Sequence, residues 1–468
     1  MFITKKYLIT LFLIILTGLT SVLYLEYFYI PISNNFDVID IVKNRNIDEL
    51  EFHYSNLIME YQTGAKDELV LYRFFEAFKS SGTIFESNLH DWLEMYPDSI
   101  AAKLALGHYY LHIGWLSRGT RWRKDTNVEQ IGNMSQNFNL AHKYYLEVVH
   151  QDPSMILAYE GMMSIAMAMG DDKLKSDVTK QALDVHPDSY VFNFKRLFAM
   201  QPKWGGSIEE INRAIDSIEP LFSKNMNLEL LEGFETYAVV NEMTRMKSGK
   251  ETCALVLPVL DRAIELYPDE YLYIRRAEIY RCMLEYEESI ANYDMALHMS
   301  SDNYDSYIGR GYTYFYMHEY KKSIDDLNLA ILLDELNPKA NRYRGMSHYY
   351  SNKYNEAIVD FKTSLIYEPY NSYVHKMLGY LNYNQIKDYV KAEEEFDMAI
   401  QYGDKKPKTL LMLISAQHRQ KDCKFIPTAK KFIELCKDNE SCNVKDISWA
   451  TNSIMHVQRE GTCKSIEN

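Results

Sequence analysis

Two histidines are the first residues of this 468-residue chain whose spacing suggests chemistry. His108 and His112 are four positions apart, which places both imidazoles on one face of a helix and suits a metal ion. The residues between them are Tyr-Tyr-Leu, without the glutamate of a zinc protease helix, and no third ligand is evident nearby. We therefore expect ordinary packing or hydrogen bonding here, with no metal.

Catalytic signatures are missing from the rest of the sequence. It contains no phosphate loop, no dinucleotide fingerprint, no nucleophile elbow and no H-E-x-x-H motif. We predict a protein without cofactor or enzymatic activity. Small-ligand binding or enzymatic activity in residues 36–222 stays an alternative, although no set of candidate catalytic or ligand-binding residues is evident there.

A cationic segment is the second candidate site. Four basic residues fall within seven positions beside two tryptophans, in a chain whose net charge is -14. Such a segment suits a phosphate-bearing ligand, lipid headgroups or an acidic protein face. The alternative is a solvated loop paired to nearby acids. The residues are Trp115, Arg118, Arg121, Trp122, Arg123 and Lys124.

A sequence repeat of fixed period predicts the elements that would position any site. Ala277, Gly311, Gly345 and Gly379 are each 34 positions apart, and every copy continues with an aromatic-small-aromatic-small rhythm. In the fourth copy this rhythm is shifted by one residue. It begins at Tyr389, one position later than the 34-residue period predicts. A fixed period of this size is typical of stacked helical hairpins.

The repeat phase also predicts a binding groove. In such a stack the first helix of each hairpin lines the concave face, and the inward positions here are mostly aromatic with a few cations. An aromatic trough of this kind suits an extended or helical peptide with acidic or C-terminal carboxylate groups. The alternative is that several of these tyrosines pack against the neighbouring helix. The predicted groove residues are Tyr271, Arg281, Tyr312, Phe315, Tyr316, Arg342, Tyr349, Tyr350, Lys376, Tyr380 and Tyr383.

Residues 250–402 resemble tetratricopeptide repeats through Gly311-x-x-Tyr314, Ala357-x-x-x-Phe361 and the trailing Pro369. Residues 36–222 resemble an uncharacterised bacterial family of helical domains through Asp91-Trp92-Leu93 and a Trp204-Gly205-Gly206-Ser207 motif. The first resemblance implies a helical solenoid that binds proteins or peptides. The second implies a bacterial source and brings no catalytic role.

Six cysteines favour an oxidising compartment. Cys253 and Cys282 fall on neighbouring antiparallel helices of the predicted stack, at the same end, and we predict a bridge between them. For the other four, Cys436–Cys442 with Cys423–Cys463 is the preferred of three pairings. Free thiols in a cytosolic protein, or a zinc site, are the alternatives.

An uncharged apolar run over residues 7–25 predicts a membrane anchor. Its nineteen residues span roughly 28 Å as a helix, close to the thickness of a bilayer core. Lys5 and Lys6 precede the run and Glu26 follows it, which places the N-terminus in the cytoplasm and the bulk of the chain in the periplasm. A cleaved signal peptide is the rival interpretation.

Together these patterns predict an all-α solenoid of helical hairpins behind one N-terminal transmembrane helix. We expect an anchor at 1–30, a helical domain at 31–222, repeats at 223–403 and a Cys-containing helical cap at 404–468. The 65 acidic against 51 basic residues argue against nucleic-acid binding. The predicted function is a scaffold at the bacterial inner membrane that binds a protein or peptide partner. A self-associating envelope protein is the remaining alternative, and the sequence leaves the oligomeric state open.

Overall fold

The computed structural model describes residues 35–79, 82–118, 126, 128–235, 238–239, 250–266, 268, 270–421, 423–437 and 442–459. Throughout these ranges the secondary structure is helical, without a β-strand, as the sequence predicts. The chain divides into two compact units. The first holds 1–115, 127–313 and 332–335, and the second holds 116–126, 314–331 and 336–468.

The first unit is built from fourteen successive helices of the described chain, of which α5 and α14 continue into the second unit. They are α1 (Asn35–Lys43), α2 (Ile47–Gln62), α3 (Glu68–Glu76), α4 (Thr83–Met95), α5 (Ile100–Arg118), α6 (Val128–Gln151), α7 (Ile156–Met169), α8 (Asp172–Val185), α9 (Tyr190–Ala199), α10 (Ile208–Ile218), α11 (Lys250–Leu266), α12 (Glu270–Cys282), α13 (Tyr286–Met299) and α14 (Tyr304–Tyr316).

The second unit continues the hairpins to the end of the described chain. Its helices are α15 (Tyr320–Leu333), whose last two residues belong to the first unit, α16 (Pro338–Tyr350), α17 (Tyr354–Ser364), α18 (Ser372–Leu381), α19 (Tyr389–Gln401), α20 (Pro407–Arg419), α21 (Phe425–Leu435) and α22 (Val444–Arg459).

Small residues of the first helices receive aromatic rings of the second helices. In α16 a Cβ on Gly345 would lie 2.9 Å from the Phe361 ring, and in α18 a Cβ on Gly379 would lie 2.6 Å from the Phe396 ring. Both rings are fully buried. Because a real Cβ does not approach an aromatic ring so closely, only glycine allows the two helices of these two hairpins to pack at this distance. This packing agrees with the stacked helical hairpins that the repeat period predicts.

A left-handed residue ends the first helix of each regular hairpin. Leu284, His318, Asn352, Lys387 and Lys421 all have φ near +60°. The next amide closes the turn onto a carbonyl five residues back in three of the hairpins, as in Glu285 to Tyr280 at 2.9 Å. The series reaches Lys421, so the first helix of the hairpin of α20 and α21 ends in the same way.

A π-helical turn explains the slip in the fourth repeat. Residues Asn382–Ile386 form this turn between α18 and α19, and the Asp388 amide donates to the Asn382 carbonyl, six residues back, at 3.0 Å. The corresponding bonds in earlier hairpins reach five residues back. A π turn accommodates one extra residue within a helix. The hairpin therefore keeps its packing although its sequence is one residue longer.

An arginine ladder crosses the repeats with the same period. Arg276, Arg310 and Arg344 occupy the same position in three successive repeats, one on each of three first helices. Arg344 pairs with Asp360 at 2.6 Å on the helix that follows and with Asn328 at 2.8 Å on the helix that precedes. Arg276 likewise reaches Asp261 and Asn292, and Arg310 reaches Asp294. Arg276 and Arg344 thus each tie two neighbouring second helices together.

The Trp-Gly-Gly-Ser motif forms a compact turn between α9 and α10. A Cβ on Gly206 would lie 2.0 Å from the Met200 carbonyl oxygen, so glycine is required there. Ser207 and Glu210 form a capping box at the start of α10. The sequence motif is thus explained by a close backbone approach and a helix start.

Two of the predicted disulfides are present. Cys253 of α11 bonds to Cys282 of α12, with the Cα atoms 6.3 Å apart, and Cys436 bonds to Cys442. Cys423 is also disulfide-bonded. Its predicted partner Cys463 lies outside the described residues, so that pairing stays a prediction.

The membrane anchor predicted at residues 7–25 lies outside the described residues as well. None of the helices that the structure describes is both long enough and apolar enough to cross a bilayer.

Candidate functional site

The predicted groove residues are distributed over five elements and both units. Tyr271 and Arg281 lie on α12, and Tyr312 lies on the part of α14 that belongs to the first unit. The other eight belong to the second unit, where they lie at the end of α14, on α16 and α18, and in the π turn. These eight form the basis of the candidate site.

A cluster of five aromatic side chains occupies the second unit, and we call it the Tyr face: Phe315, Tyr316, Tyr349, Tyr350 and Tyr373. The ring centroid of Tyr350 lies 5.5 Å from Phe315 and 5.2 Å from Tyr349, and Phe315 lies 5.8 Å from Tyr316. The electrostatic neighbours of the Tyr373 hydroxyl include Tyr350, Tyr316 and Tyr349. Burial and these neighbours raise the pKa of Tyr373 well above its ordinary value, so its hydroxyl stays a neutral donor.

Two rings of the Tyr face are open to solvent. Tyr316 is 43% exposed and Tyr350 is 51% exposed. Tyr350 is nevertheless held in place, because its ring stacks at 6.0 Å on Tyr320, the first residue of α15, and contacts Phe315. Tyrosines that are ordered before binding lose little side-chain freedom when a partner docks. The Tyr face is therefore a preorganised, partly exposed aromatic surface.

The cations beside the Tyr face are already paired within the chain. Arg342 forms an ion pair with Glu368, and both side chains are largely buried. Lys376 donates to Asp404 at 2.8 Å, with the two side chains 11% and 5% exposed. Burial would raise the pKa of Asp404, but the hydrogen bonds and charge of Lys376 lower it below its usual value. The expectation that these cations bind a partner's carboxylate therefore has no support in their geometry.

Tyr380 and Tyr383 pack at the edge of this region. The Tyr380 ring lies 5.4 Å from the buried Phe396, and Tyr383 lies 5.3 Å from Tyr389. Both rings are half-buried. Both rings contribute to the packing of the hairpin of α18 and α19. This is the alternative given for the groove tyrosines, that several of them pack against the neighbouring helix.

The first-unit members of the predicted groove have structural contacts of their own. Arg281 donates to the Tyr293 hydroxyl at 2.8 Å and to the Gly309 carbonyl at 3.3 Å, and it lies over the Tyr312 ring at 5.2 Å. Tyr271 stacks on Phe194 at 6.3 Å. Arg281 thus bridges three successive helices.

Only the beginning of the predicted anion loop is described. Trp115 contacts Phe138 at 5.7 Å and Trp204 at 5.9 Å, so its ring is part of a packed aromatic cluster. Arg118 is the last residue of α5. Arg121, Trp122, Arg123 and Lys124 lie outside the described residues, and the proposed anion site stays a prediction.

The two histidines have separate hydrogen bonds. His108 Nδ1 lies 2.9 Å from the Leu104 carbonyl, and burial lowers the pKa of His108. His112 Nε2 lies 3.0 Å from the Asp334 carboxylate, and both side chains are buried. Asp334 belongs to the segment Leu332–Glu335, which is part of the same unit as His112. No group of three or more metal-ligating side chains occurs among the described residues.

Sequence reasoning missed several residues of the second helices. Tyr320 supports Tyr350, and Tyr354 lies 6.0 Å from Tyr349. Both residues are the aromatic that opens the second helix of its repeat, and the sequence analysis gave this aromatic no role in a binding surface. A pattern of spacing alone does not reveal that such a ring also supports an exposed neighbour.

Comparison with known proteins gives no family. No family model and no curated protein matches the chain, so the resemblance of residues 36–222 finds no support there. Similar solved structures include pilF of Pseudomonas aeruginosa, 17% identical, with a TM-score of 0.41 over 47% of this chain and 99% of that chain. PilW, a type IV pilus biogenesis factor, is 15% identical with a TM-score of 0.40, and covers 47% of this chain and 98% of that chain.

A third similar structure is YrrB, a TPR protein with an unusual peptide-binding site. It is 18% identical with a TM-score of 0.35, over 41% of this chain and 97% of that chain. These identities and scores are too low to carry an argument about function. The tetratricopeptide-like architecture rests on the chain's own hairpins, their glycine–aromatic contacts and their left-handed turns.

Proposed function

We propose that this protein is an interaction scaffold that holds a protein or peptide partner on the Tyr face of its second unit. The observation that carries the proposal is the pair of exposed tyrosines, Tyr316 and Tyr350, within an ordered aromatic cluster. Tyrosine is enriched among the residues that dominate binding energy at protein interfaces. Hydroxyl groups at the ring edges add hydrogen bonds to the apolar contact area.

The pairing of the neighbouring cations suggests what kind of segment binds. Since Arg342 and Lys376 already have acidic partners, a partner's carboxylate would have to displace Glu368 or Asp404. Breaking such a buried pair is costly, because it leaves a charge without compensation. We therefore expect a segment with little charge, whose apolar side chains and backbone carbonyls contact rings and hydroxyls.

The N-terminal anchor predicted at residues 7–25 would place this scaffold at the bacterial inner membrane, with the bulk of the chain in the periplasm. The charges flanking the apolar run support this orientation, and the disulfides support an oxidising compartment. Anchoring raises the effective concentration of the scaffold near membrane partners, so modest affinity would suffice.

Site-specific photocrosslinking tests the proposal. A photoreactive phenylalanine analogue replaces Tyr350 in the full chain, and a matched variant carries it at Val359, which is 63% exposed on α17 of the same unit. We expect a crosslinked partner from position 350 and none from position 359. Adding Tyr316→Ala and Tyr373→Ala is expected to reduce the yield on the order of tenfold, as the loss of interface tyrosines does.

Two outcomes would contradict the proposal. Equal crosslinking from both positions, or full retention of the partner by a folded Tyr316→Ala, Tyr373→Ala variant, would remove the Tyr face as the binding surface. A crosslink to a second copy of this chain, with a mass by light scattering that rises with concentration, would favour the self-associating alternative. Circular dichroism checks that each variant is folded.

A further inference from the structure

Lys203 has an unusual position in the first unit. It lies in the short 3-10 turn Pro202–Trp204, which the close approach of Gly206 to the Met200 carbonyl holds in place. Its ammonium nitrogen is 4.4 Å from the centroid of the Phe198 ring and 5.7 Å from the Trp204 ring. The lysine is thus fitted between aromatic faces and only partly exposed.

Two nearby cations, Lys195 and Arg275, have acidic partners. Lys195 lies 5.8 Å from the same Phe198 ring, and its ammonium group donates to Glu160, which is 1% exposed, at 2.7 Å. Arg275 forms an ion pair with Glu278. Within the described part of the chain, no carboxylate lies within ion-pair distance of Lys203. Lys203 thus differs from both neighbouring cations, although the chain is acidic overall.

The pKa of Lys203 agrees with the absence of an acidic partner among the described residues. Burial and the nearby charge of Arg275 lower the pKa of Lys203 to about 8. A half-buried ammonium group beside another cation loses hydration without gaining a counter-charge. Cation–aromatic contacts recover only part of that loss. An anion bound beside the amine would supply the missing charge.

Stacked aromatic rings extend away from Lys203. Phe198 stacks on Phe194 at 6.5 Å, and Phe194 stacks on Tyr271 at 6.3 Å. Tyr271 is 39% exposed, so the row reaches solvent at its far end. An apolar group could lie along these rings while an attached anion reaches the lysine.

We propose that Lys203, with the ring row Phe198, Phe194 and Tyr271, forms a binding site for a carboxylate that carries an apolar neighbour, as at the end of a peptide. A single lysine supplies one positive charge, which matches the single negative charge of a carboxylate. The site belongs to the first unit and is independent of the Tyr face. It would be a second recognition point.

Competitive acetylation of the full-length protein tests the site, with N-acetylphenylalanine, its amide and acetate as probes at constant ionic strength. An anion within hydrogen-bonding distance raises the pKa of an amine by about one unit or more, which lowers its reactive neutral fraction about tenfold. We expect N-acetylphenylalanine to slow acetylation of Lys203 by about this factor. The exposed Lys173 is the internal control and should not change.

The probes separate the sources of the carboxylate. A larger effect of N-acetylphenylalanine than of acetate supports a site for an apolar residue with its carboxylate, as in a peptide end. An equal effect of acetate would overturn the role of the ring row. Slowing by the uncharged amide would mean that the ring row, and not the charge, is recognised, and would overturn the carboxylate assignment.

Ligand-observed NMR provides a second readout that does not depend on the amine. Saturation transfer to N-acetylphenylalanine should persist in Lys203→Arg and in the matched Lys173→Met variant, and should be lost in Lys203→Met. Equal transfer in Lys203→Met and the unmodified protein would overturn the proposal. Gly206 and the capping box are untouched by these substitutions, so the turn should keep its structure.

Discussion

At the level of single residues, the described charges of the repeats serve mainly to join helices. His375 illustrates this, because its ring lies 2.7 Å from Glu395 on the next helix and 2.8 Å from the Pro369 carbonyl. Burial alone would lower the pKa of His375, but the hydrogen bonds to Glu395 and Pro369 and the charge of Glu395 raise it. The protonated ring is therefore favoured in the folded protein.

This raised pKa predicts a pH-dependent stability. A histidine whose folded pKa exceeds its unfolded value contributes stability fully below the unfolded pKa, about 6.5, and the contribution disappears as the pH rises through the folded pKa. We expect the free energy of unfolding of the wild-type chain to fall over this interval by more than that of His375→Gln. Urea unfolding at a series of pH values measures it, and parallel pH profiles would show that the pair contributes nothing.

Arg344 offers a test of the arginine ladder. Its partner Asp360 is 4% exposed at the side chain, so Arg344→Ala leaves a buried carboxylate without its main counter-charge. We expect destabilisation of about 3 kcal/mol, measured by urea unfolding. The matched control is Arg262→Ala, whose pair with Glu265 is 68% and 67% exposed and should cost less than about 0.5 kcal/mol. Similar losses in both variants would mean that the ladder adds no special stability.

At the level of elements, residues other than glycine occupy the left-handed turn positions, which are conformationally unfavourable for any residue with a side chain. Leu284 has φ +66° and its side chain is 63% exposed, so the residue gains little from burial. A side chain in this conformation costs roughly 1–2 kcal/mol relative to glycine, and a β-branched residue costs more. The turn is retained because its hydrogen bonds close the helix end.

Substitutions at Leu284 follow from this. We expect Leu284→Gly to raise the free energy of unfolding by roughly 0.5–1 kcal/mol, since relief of the backbone exceeds the entropy that glycine adds to the unfolded chain. Leu284→Val should lower it by about 1 kcal/mol. Thermal unfolding followed by circular dichroism separates the two. Destabilisation by glycine would indicate that the leucine side chain makes a contribution that its exposure does not suggest.

At the level of the whole molecule, the cysteines connect architecture to compartment. If all six are bridged as predicted, alkylation of the unreduced, denatured protein should label none of them, and peptide mapping should recover a Cys423–Cys463 peptide beside the two other bridges. The control is the same protein alkylated after reduction. Recovery of six alkylated cysteines from unreduced protein would remove the argument for an oxidising compartment.

The repeat period by itself determined much of this protein. A glycine or alanine at the same position of each repeat, opposite an aromatic or leucine, dictates which helix faces meet, because only a small residue admits a ring at such short distance. The same phase located the bridge between Cys253 and Cys282. These are local and nearest-neighbour properties, which a one-dimensional pattern records.

Only the tertiary structure decided which polar groups are available. The sequence placed Arg342 and Lys376 beside tyrosines, but their partners Glu368 and Asp404 are brought to them by the folding of later turns. Conversely, Lys203 carried no signal in the sequence, and its lack of an acidic partner among the described residues follows from where α9, α12 and the turn place their charges. Whether a charge is free or paired depends on distances across the fold, which spacing along the chain does not contain.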